Sequence, residues 1–210
     1  MAELSGFKMI ISHKHKFIYF KAKKVAGTST EILLSDLVDK EDIVTPITKG
    51  DSSTHQPRNY IGFRNHSTPN HIRNKIGENK FNSYYKFISI RNPFDRVVSW
   101  YWWQNRNEVK KSFRDFVLSN GCYKLSPFSG WIFHGKKCVV DDYIRYENLE
   151  NDTKRIFGKW FDDDIVYPTA KSSQRKEKKH YTEYYDDETR QIVAEQYAKD
   201  IKYFGYKFGV

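Results

Sequence analysis

The fold is decided by the stretch Lys16-Phe-Ile-Tyr-Phe-Lys-Ala-Lys-Lys-Val-Ala-Gly-Thr-Ser-Thr-Glu31. Residues 17–20 favour a strand, and Gly27 in the lysine-rich turn that follows allows close backbone approach. The hydroxyls of 28–30 can cap a helix that continues through apolar residues. Backbone N–H groups at a helix start, the helix dipole and a lysine ammonium would point at one anion. The stretch therefore predicts a phosphate-binding loop.

The order of residues in this loop differs from a Walker A sequence. That pattern, Gly-x-x-x-x-Gly-Lys-[Ser/Thr], places its lysine after the second glycine, whereas Lys23 and Lys24 precede Gly27 here. A P-loop nucleotide or small-molecule kinase is an alternative function. Two features disfavour it: no lysine follows the glycine as in a Walker A sequence, and no clear Mg²⁺-binding carboxylate follows a strand. An ordinary strand-to-helix turn with solvated lysines is the other alternative for this loop alone.

The same strand, turn and helix pattern recurs in a second stretch, Tyr84-Tyr-Lys-Phe-Ile-Ser-Ile-Arg-Asn-Pro-Phe-Asp-Arg-Val-Val-Ser-Trp-Tyr101. Its first part is a nearly continuous apolar run, as in a buried strand. Asn92 can cap the helix that follows, Pro93 suits the first helical position, and Asp95 complements the helix dipole. The inward face of this helix is predicted to consist of Val97, Val98, Tyr101 and Trp102.

The first stretch resembles the 5′-phosphosulfate loop of sulfotransferases that use 3′-phosphoadenosine 5′-phosphosulfate (PAPS), whose pattern is close to Pro-Lys-[Thr/Ala]-[Gly/Ala]-Gly-Thr-Ser. Lysine replaces the proline at Lys23, and the spacing to Gly27 favours Lys24 over Lys23 and Lys21 as the lysine of the motif. The resemblance implies a nucleotide-binding loop over 21–30. The residues that would contact the 5′-phosphosulfate are Lys24, Ala26, Gly27, Thr28, Ser29 and Thr30.

The second stretch resembles the 3′-phosphate motif of the same family, Arg-[Asn/Asp]-Pro-[aromatic]-[Asp/Glu]-Arg-x-x-Ser, over residues 91–99. There the first arginine and the serine bind the phosphate on the adenosine ribose, which implies this role for Arg91 and Ser99. A guanidinium suits it because it recognises a phosphate through several donors in one plane. We interpret Arg96 as a helix-surface or carboxylate-pairing residue rather than a ligand.

The resemblance extends nearly from end to end. Residues 65–77, 142–152 and 180–208 resemble segments of bacterial relatives of the carbohydrate sulfotransferases. Alternating strand and helix segments predict an α/β fold with a mainly parallel sheet of about four or five strands, covered by helices on both faces. The expectation is a single sulfotransferase domain of P-loop-like fold over 1–210, which moves a sulfuryl group from PAPS to a hydroxyl group, most readily on a carbohydrate.

Sulfuryl transfer needs a base for the acceptor proton and positive charge where the leaving phosphate oxygen becomes anionic. It needs no metal in principle. Lys24 would supply the charge, and His66 is the candidate base, because imidazole titrates near neutral pH and the resemblance places a histidine there. His55 or a carboxylate are the alternatives for the base. His71, inside the helix predicted over 67–77, is expected to pack or to face water.

Less regular segments would complete the site. Residues 45–66 and 104–135 are expected to form acceptor loops, the second including a short helix at 112–118. The basic run 171–179 is either a solvated loop or the segment that closes over the nucleotide in related enzymes. The second possibility makes Ser173 and Arg175 candidate nucleotide contacts. The sequence does not identify the acceptor, so glycans, lipids, small metabolites and tyrosine side chains are all alternatives.

Composition agrees with an anionic partner, since the 210 residues carry a formal net charge of +10. Both the nucleotide and an acidic glycan qualify, and a basic nucleic-acid-binding protein without enzymatic activity is a further alternative, although no recognised binding module supports it. Cys122 and Cys138 are too few for a disulfide framework or a cysteine metal cluster, and one bridge between them is the alternative to two free thiols. Neither a signal-peptide core nor a run of ~20 apolar residues is present. Eukaryotic Golgi sulfotransferases usually carry such an anchor, so the resemblance implies either a soluble, cytoplasmic protein of bacterial or viral origin or a trimmed form of a longer chain.

Overall fold

The computed structural model describes residues 8–46, 56–63, 68–108, 111–161 and 179–210. Its strands are β1 Lys8–Ser12, β2 Phe17–Lys21, β3 Ile43–Val44, β4 Tyr85–Ile90, β5 Phe133–His134, β6 Lys137–Cys138 and β7 Asp142–Arg145. Its α-helices are α1 Gly27–Leu37, α2 Pro69–Ile76, α3 Glu78–Ser83, α4 Pro93–Gln104, α5 Phe113–Leu118, α6 Ser129–Ile132, α7 Leu149–Phe157, α8 Asp187–Gln196 and α9 Ala198–Phe204.

Five of these strands form one mixed sheet in the order β3-β1-β2-β4-β7. β2 pairs parallel with β4, and β4 pairs parallel with β7. β1 is antiparallel to both β2 and β3, so it alone among the five runs in the opposite direction. The antiparallel pairing arises because only residues 13–16 join β1 to β2, too few for the crossover that a parallel pair requires. The predicted α/β class is confirmed, with a mixed sheet of five strands.

One face of the sheet packs against α1 and α7. Side chains alternate between the two faces along each strand, which places Phe17, Tyr19 and Phe87 on this side. The buried cluster consists of Ile10, Phe17, Tyr19, Leu34, Val38, Val44, Phe87, Ile144, Ile156 and Phe157.

The opposite face carries the alternate strand residues, among them the fully buried Ile18 and Ile88. Lys86 also belongs to this face, and its ammonium donates to the carbonyl of Phe81 in α3 at 3.1 Å. The same ammonium lies 5.4 Å from the centroid of the Phe81 ring. Helices therefore flank the sheet on both sides, as predicted.

Three parallel strands end at one edge of the sheet. β2 ends at Lys21, β4 at Ile90 and β7 at Arg145, and the register pairs Phe20 with Ile88 and Ile90 with Arg145. Loop 22–26 starts at this carboxyl edge, which is where open α/β sheets bind their ligands.

The chain forms two compact units. One comprises Met1–Ile90 and Trp131–Ala170, and the other comprises Arg91–Gly130 and Lys171–Val210. The core of the second unit joins α4, α5 and α8. Its buried cluster consists of Phe94, Val97, Val98, Trp100, Tyr101, Trp102, Phe113, Phe116, Val117, Cys122, Leu125, Tyr181, Val193 and Tyr197. The inward stripe predicted for α4 is thus confirmed, whereas the single domain over 1–210 stays a prediction.

The two short helices predicted over 67–77 and 112–118 are confirmed. α2 has Thr68 as its N-cap, Pro69 in its first turn and Gly77 at its end with φ 88°. α5 begins after Ser112, whose side chain accepts from the backbone N–H of Asp115. Both cysteines are free thiols. No helix among the described residues is long and apolar enough to span a bilayer.

The chain just before the predicted acceptor loop 45–66 forms an edge strand of the sheet. Ile43 and Val44 form β3 at the sheet edge, and Val44 makes a further bridge to Arg58. The Arg58 guanidinium donates from Nη2 to the carbonyls of Ser35 at 2.9 Å and Val38 at 3.0 Å. This side chain therefore satisfies carbonyls at the C-terminus of α1.

Candidate active site

Loop 22–26 has an unusual backbone. Lys24 and Ala26 both have positive φ values, 65° and 57°. Non-glycine residues avoid this left-handed region, at a cost of roughly 1–2 kcal/mol each. Such outliers cluster at ligand sites, and left-handed residues within a turn are a component of the anion-binding concavities formed by backbone N–H groups. The loop conformation therefore agrees with the predicted anion site.

α1 begins directly after this loop, and the predicted caps are wrong. The N-cap is Ala26, and no side chain makes a cap hydrogen bond. Thr28, Ser29 and Thr30 instead lie within the first turn, because the left-handed Ala26 already directs the chain into the helix. The backbone N–H of Ser29 donates to the carbonyl of Ala26 at 3.0 Å. A helix start without a side-chain cap is well suited to an anion.

The three lysines of the motif have different environments. Lys21, the last residue of β2, is buried and forms an ion pair with Glu31 of α1. Lys23 and Lys24 are half-buried and lie in the loop itself. The structure thus separates Lys21 from the other two, and the choice of Lys24 over Lys23 as the lysine of the motif stays a prediction.

Gly27 packs closely against two side chains of β2, whereas the close approach of an anion to its backbone stays a prediction. A Cβ atom at this position would lie 2.6 Å from Cγ of Lys21 and 3.1 Å from the hydroxyl of Tyr19. Tyr19 in turn hydrogen-bonds Ser89 of β4 at 2.9 Å. Gly27 is therefore required by the packing of β2 beneath the helix start.

Gly27→Ala is expected to lower the free energy of unfolding by about 1–3 kcal/mol, because the new methyl group must displace the Lys21 stem. Urea denaturation measures this loss. Gly130→Ala in α6 is the matched control, since nothing lies within 4 Å of the Cβ added there. Equal stability of the two variants would contradict the close packing at Gly27.

In the second unit, Arg91 is held by Asp95 of α4. Its Nε and Nη2 donate to Oδ2 of Asp95 at 2.8 and 2.6 Å. Both side chains are largely buried, at 9% and 13% exposure. Ser99, half-buried, follows Asp95 by one helical turn and so shares its face of α4. The structure thus places the predicted 3′-phosphate ligands Arg91 and Ser99 next to a common residue, Asp95.

The sequence prediction did not include this role of Asp95. The sequence analysis relates this carboxylate only to the helix dipole, although its spacing of four residues from Arg91 is a signal for such an ion pair. The predicted cap is confirmed, because the Asn92 side chain accepts from the backbone N–H of Phe94 at 3.1 Å. The Asn92 amide also donates to the carbonyl of Lys207 at 2.9 Å.

Arg96 is not on the helix surface, so the first half of that interpretation is wrong. It is 2% exposed, donates to the carbonyl of Ser126 at 3.1 Å and lies 4.0 Å above the centroid of the Phe128 ring. Burial lowers the pKa of this guanidinium, and Asp200 acts in the opposite direction. Asp200 also accepts from the backbone N–H of Phe128 at 2.7 Å. Arg96 therefore joins α4 to the segment around Phe128, and its exclusion as a ligand stays a prediction.

The histidines divide between described and undescribed parts of the chain. His71 packs in α2, with Nε2 3.1 Å from the carbonyl of Gly62 and its ring edge-to-face with Phe63. His55 and His66 lie outside the described residues, so their roles stay predictions. The same holds for the predicted nucleotide contacts Ser173 and Arg175. Within the described ranges, no group of three or more His, Cys, Asp or Glu residues is arranged to hold a metal ion.

Comparisons with known proteins agree with this geometry. The model of the sulfotransferase family matches residues 7–207. A protein of Archaeoglobus fulgidus, described as uncharacterized, is 37% identical over 92 residues, which cover 42% of this chain and 77% of that protein. No solved structure matches significantly. Since the match spans the loop after β2 and the start of α4, the chain belongs to the sulfotransferase family.

Proposed function

We propose that this protein transfers a sulfuryl group from PAPS to a hydroxyl group of an acceptor, with a carbohydrate as the favoured acceptor class. Membership of the family supports sulfuryl transfer in general. The observation that most supports a phosphosulfate donor is loop 22–26, which has left-handed residues at Lys24 and Ala26 and leads into a helix without a side-chain cap.

The two motifs would hold opposite ends of the donor. Lys24, the N–H groups at the start of α1 and the hydroxyls of Thr28 and Ser29 suit the 5′-phosphosulfate. Arg91 suits the 3′-phosphate, and its ion pair with Asp95 supports this assignment because the guanidinium is already oriented. A side chain fixed before binding loses less entropy when the ligand arrives. Ser99 would donate from the next turn of the same helix.

In the proposed step, the acceptor oxygen attacks the sulfur in line with the bond to the 5′-phosphate oxygen. The new oxygen–sulfur bond forms as the old one breaks, and the adenosine 3′,5′-bisphosphate (PAP) departs with the electron pair. His66 accepts the hydroxyl proton. Lys24 stabilises the negative charge that grows on the leaving oxygen, so the step needs no metal ion. Residues 45–66 and 104–135 would contact the acceptor, while Ser173 and Arg175 would close over the nucleotide.

Nucleotide preference tests this proposal. We expect the unmodified protein to bind PAP better than ATP without Mg²⁺, because ATP lacks the 3′-phosphate that Arg91 and Ser99 would recognise. Arg91→Ala should lose about 1.5–3 kcal/mol of PAP affinity, the usual value for a charge-assisted hydrogen bond, and should change ATP affinity little. Isothermal titration calorimetry measures both.

Arg114→Ala provides the matched control. Arg114 belongs to the same unit and is also paired with carboxylates, those of Asp186 and Glu188, but it is exposed and outside both motifs. Its removal should leave PAP affinity unchanged. Equal affinities of the unmodified protein for PAP and ATP, or a strict Mg²⁺ requirement, would instead support a kinase.

A further inference from the structure

We propose that the buried ion pair between Lys21 and Glu31 positions the phosphosulfate loop and neutralises a carboxylate near the bound anion. This inference rests on the proposed function, because it assigns to the pair a role in binding the 5′ end of the donor. Lys21 and Glu31 would be positioning residues, which act through the loop and the start of α1.

The pair connects the two elements that border the loop. Lys21 is the last residue of β2, and Glu31 lies in α1, one turn after the helix begins at Gly27. Their side chains are 9% and 0% exposed, so the contact is almost completely removed from water. The five residues 22–26 between these elements include the left-handed Lys24 and Ala26. A link across both ends of the loop is therefore suited to keep its strained conformation in place.

The aliphatic part of Lys21 contributes to the same task. Its Cγ lies 2.6 Å from the position of a Cβ on Gly27, and its Cδ lies 3.3 Å from that position. The stem of the lysine thus runs directly beneath the first residue of α1, and the ammonium reaches Glu31 beyond it. Gly27 allows the start of α1 to pack closely on β2. The Lys21–Glu31 pair holds the two elements at this short distance.

Charge gives the pair its second role. Glu31 places a fully buried carboxylate near the helix N-terminus that is proposed to bind an anion. A charge inside the protein interacts more strongly with its neighbours than one in water, so the Glu31 carboxylate would oppose anion binding more strongly without the Lys21 ammonium. The Lys21 ammonium offsets this charge. Removing Lys21 should therefore weaken anion binding more than removing the charge of Glu31.

The test compares two ligands that differ only in the group that the loop would bind. PAP carries both a 5′- and a 3′-phosphate, whereas adenosine 3′-phosphate lacks the 5′-phosphate. Calorimetry on Lys21→Met should show at least about tenfold weaker PAP binding than the unmodified protein, with adenosine 3′-phosphate binding unchanged. Glu31→Gln should lose less PAP affinity than Lys21→Met. The double variant should lie between Lys21→Met and the unmodified protein, because it removes the repulsion together with the link.

The controls separate a positioning role from a structural one. Lys14 and Asp39 form an exposed ion pair in the same unit, so Lys14→Met and Asp39→Asn should leave both affinities unchanged. Should Lys21→Met fail to fold, Lys21→Arg and the double variant decide: arginine should keep PAP binding, and the double variant should lose it selectively. Unchanged PAP binding in the Lys21 and double variants, or equal loss of both ligands, would overturn this inference alone. Failure of the unmodified protein to bind PAP would overturn the proposed function.

Discussion

Replacing His66 by glutamine is expected to lower sulfuryl transfer by roughly 10²–10⁴ while PAP affinity stays nearly constant. This is the usual loss when a general base is removed, and the amide cannot take the proton of the acceptor hydroxyl. The proposed nucleotide ligands Lys24 and Arg91 are unchanged in this variant, so PAP binding should persist. PAP release during turnover with a good acceptor measures the rate. The rate of the unmodified enzyme should also rise with pH near ~6.5, where an imidazole loses its proton, and the variant should lack this step.

The other two histidines of this region provide matched controls. His71→Gln should keep near-normal turnover, because its ring contacts Phe63 and the carbonyl of Gly62 in the first unit. His55→Gln tests the alternative base. Near-normal turnover of the His66 variant, together with inactivity of the His55 variant, would move the assignment to His55 and leave the remaining mechanism intact.

Lys24→Ala is expected to reduce turnover by about 10²–10³, as when one preorganised donor to a developing anion is removed. PAP affinity should fall much less, because the charge that Lys24 meets grows as the sulfur–oxygen bond breaks. Single-turnover rates and calorimetry on the same preparation separate the two effects.

Lys23→Ala is the matched control, because Lys23 is the adjacent residue and is also half-buried. It should keep most of the activity. A larger loss for Lys23→Ala, with Lys24→Ala nearly silent, would shift the alignment of the motif by one residue.

The parts of the fold that depend on local sequence could be predicted. β2, β4 and the helix after Asn92 follow from apolar runs, caps and the position of Pro93, all of which act between near neighbours in the chain. β1 is not among the predicted strands, because this five-residue strand depends on pairing with β2 and β3 rather than on a local sequence signal. The mixed character of the sheet follows from this one strand.

The candidate site shows the same division. Gly27 and Arg91 could be proposed as site residues from the motifs. The left-handed backbone of Ala26 could not be predicted, because alanine usually favours right-handed helices. That backbone made the predicted threonine and serine caps wrong. Arg96 is buried because it contacts Ser126 and Phe128, which are far away in the sequence. The Lys21–Glu31 pair likewise joins residues ten positions apart that the loop brings into contact.

The most direct test of the central claim is a thermal-shift measurement of the unmodified protein with PAP, ATP, GTP and short duplex DNA, in the presence of a chelator. We expect PAP alone to raise the melting temperature strongly, since a ligand at 100 times its dissociation constant adds about 2.7 kcal/mol to the free energy of unfolding. Stabilisation by ATP or GTP that appears only when Mg²⁺ is restored, or by DNA but not by PAP, would contradict the assignment as a PAPS-dependent sulfotransferase.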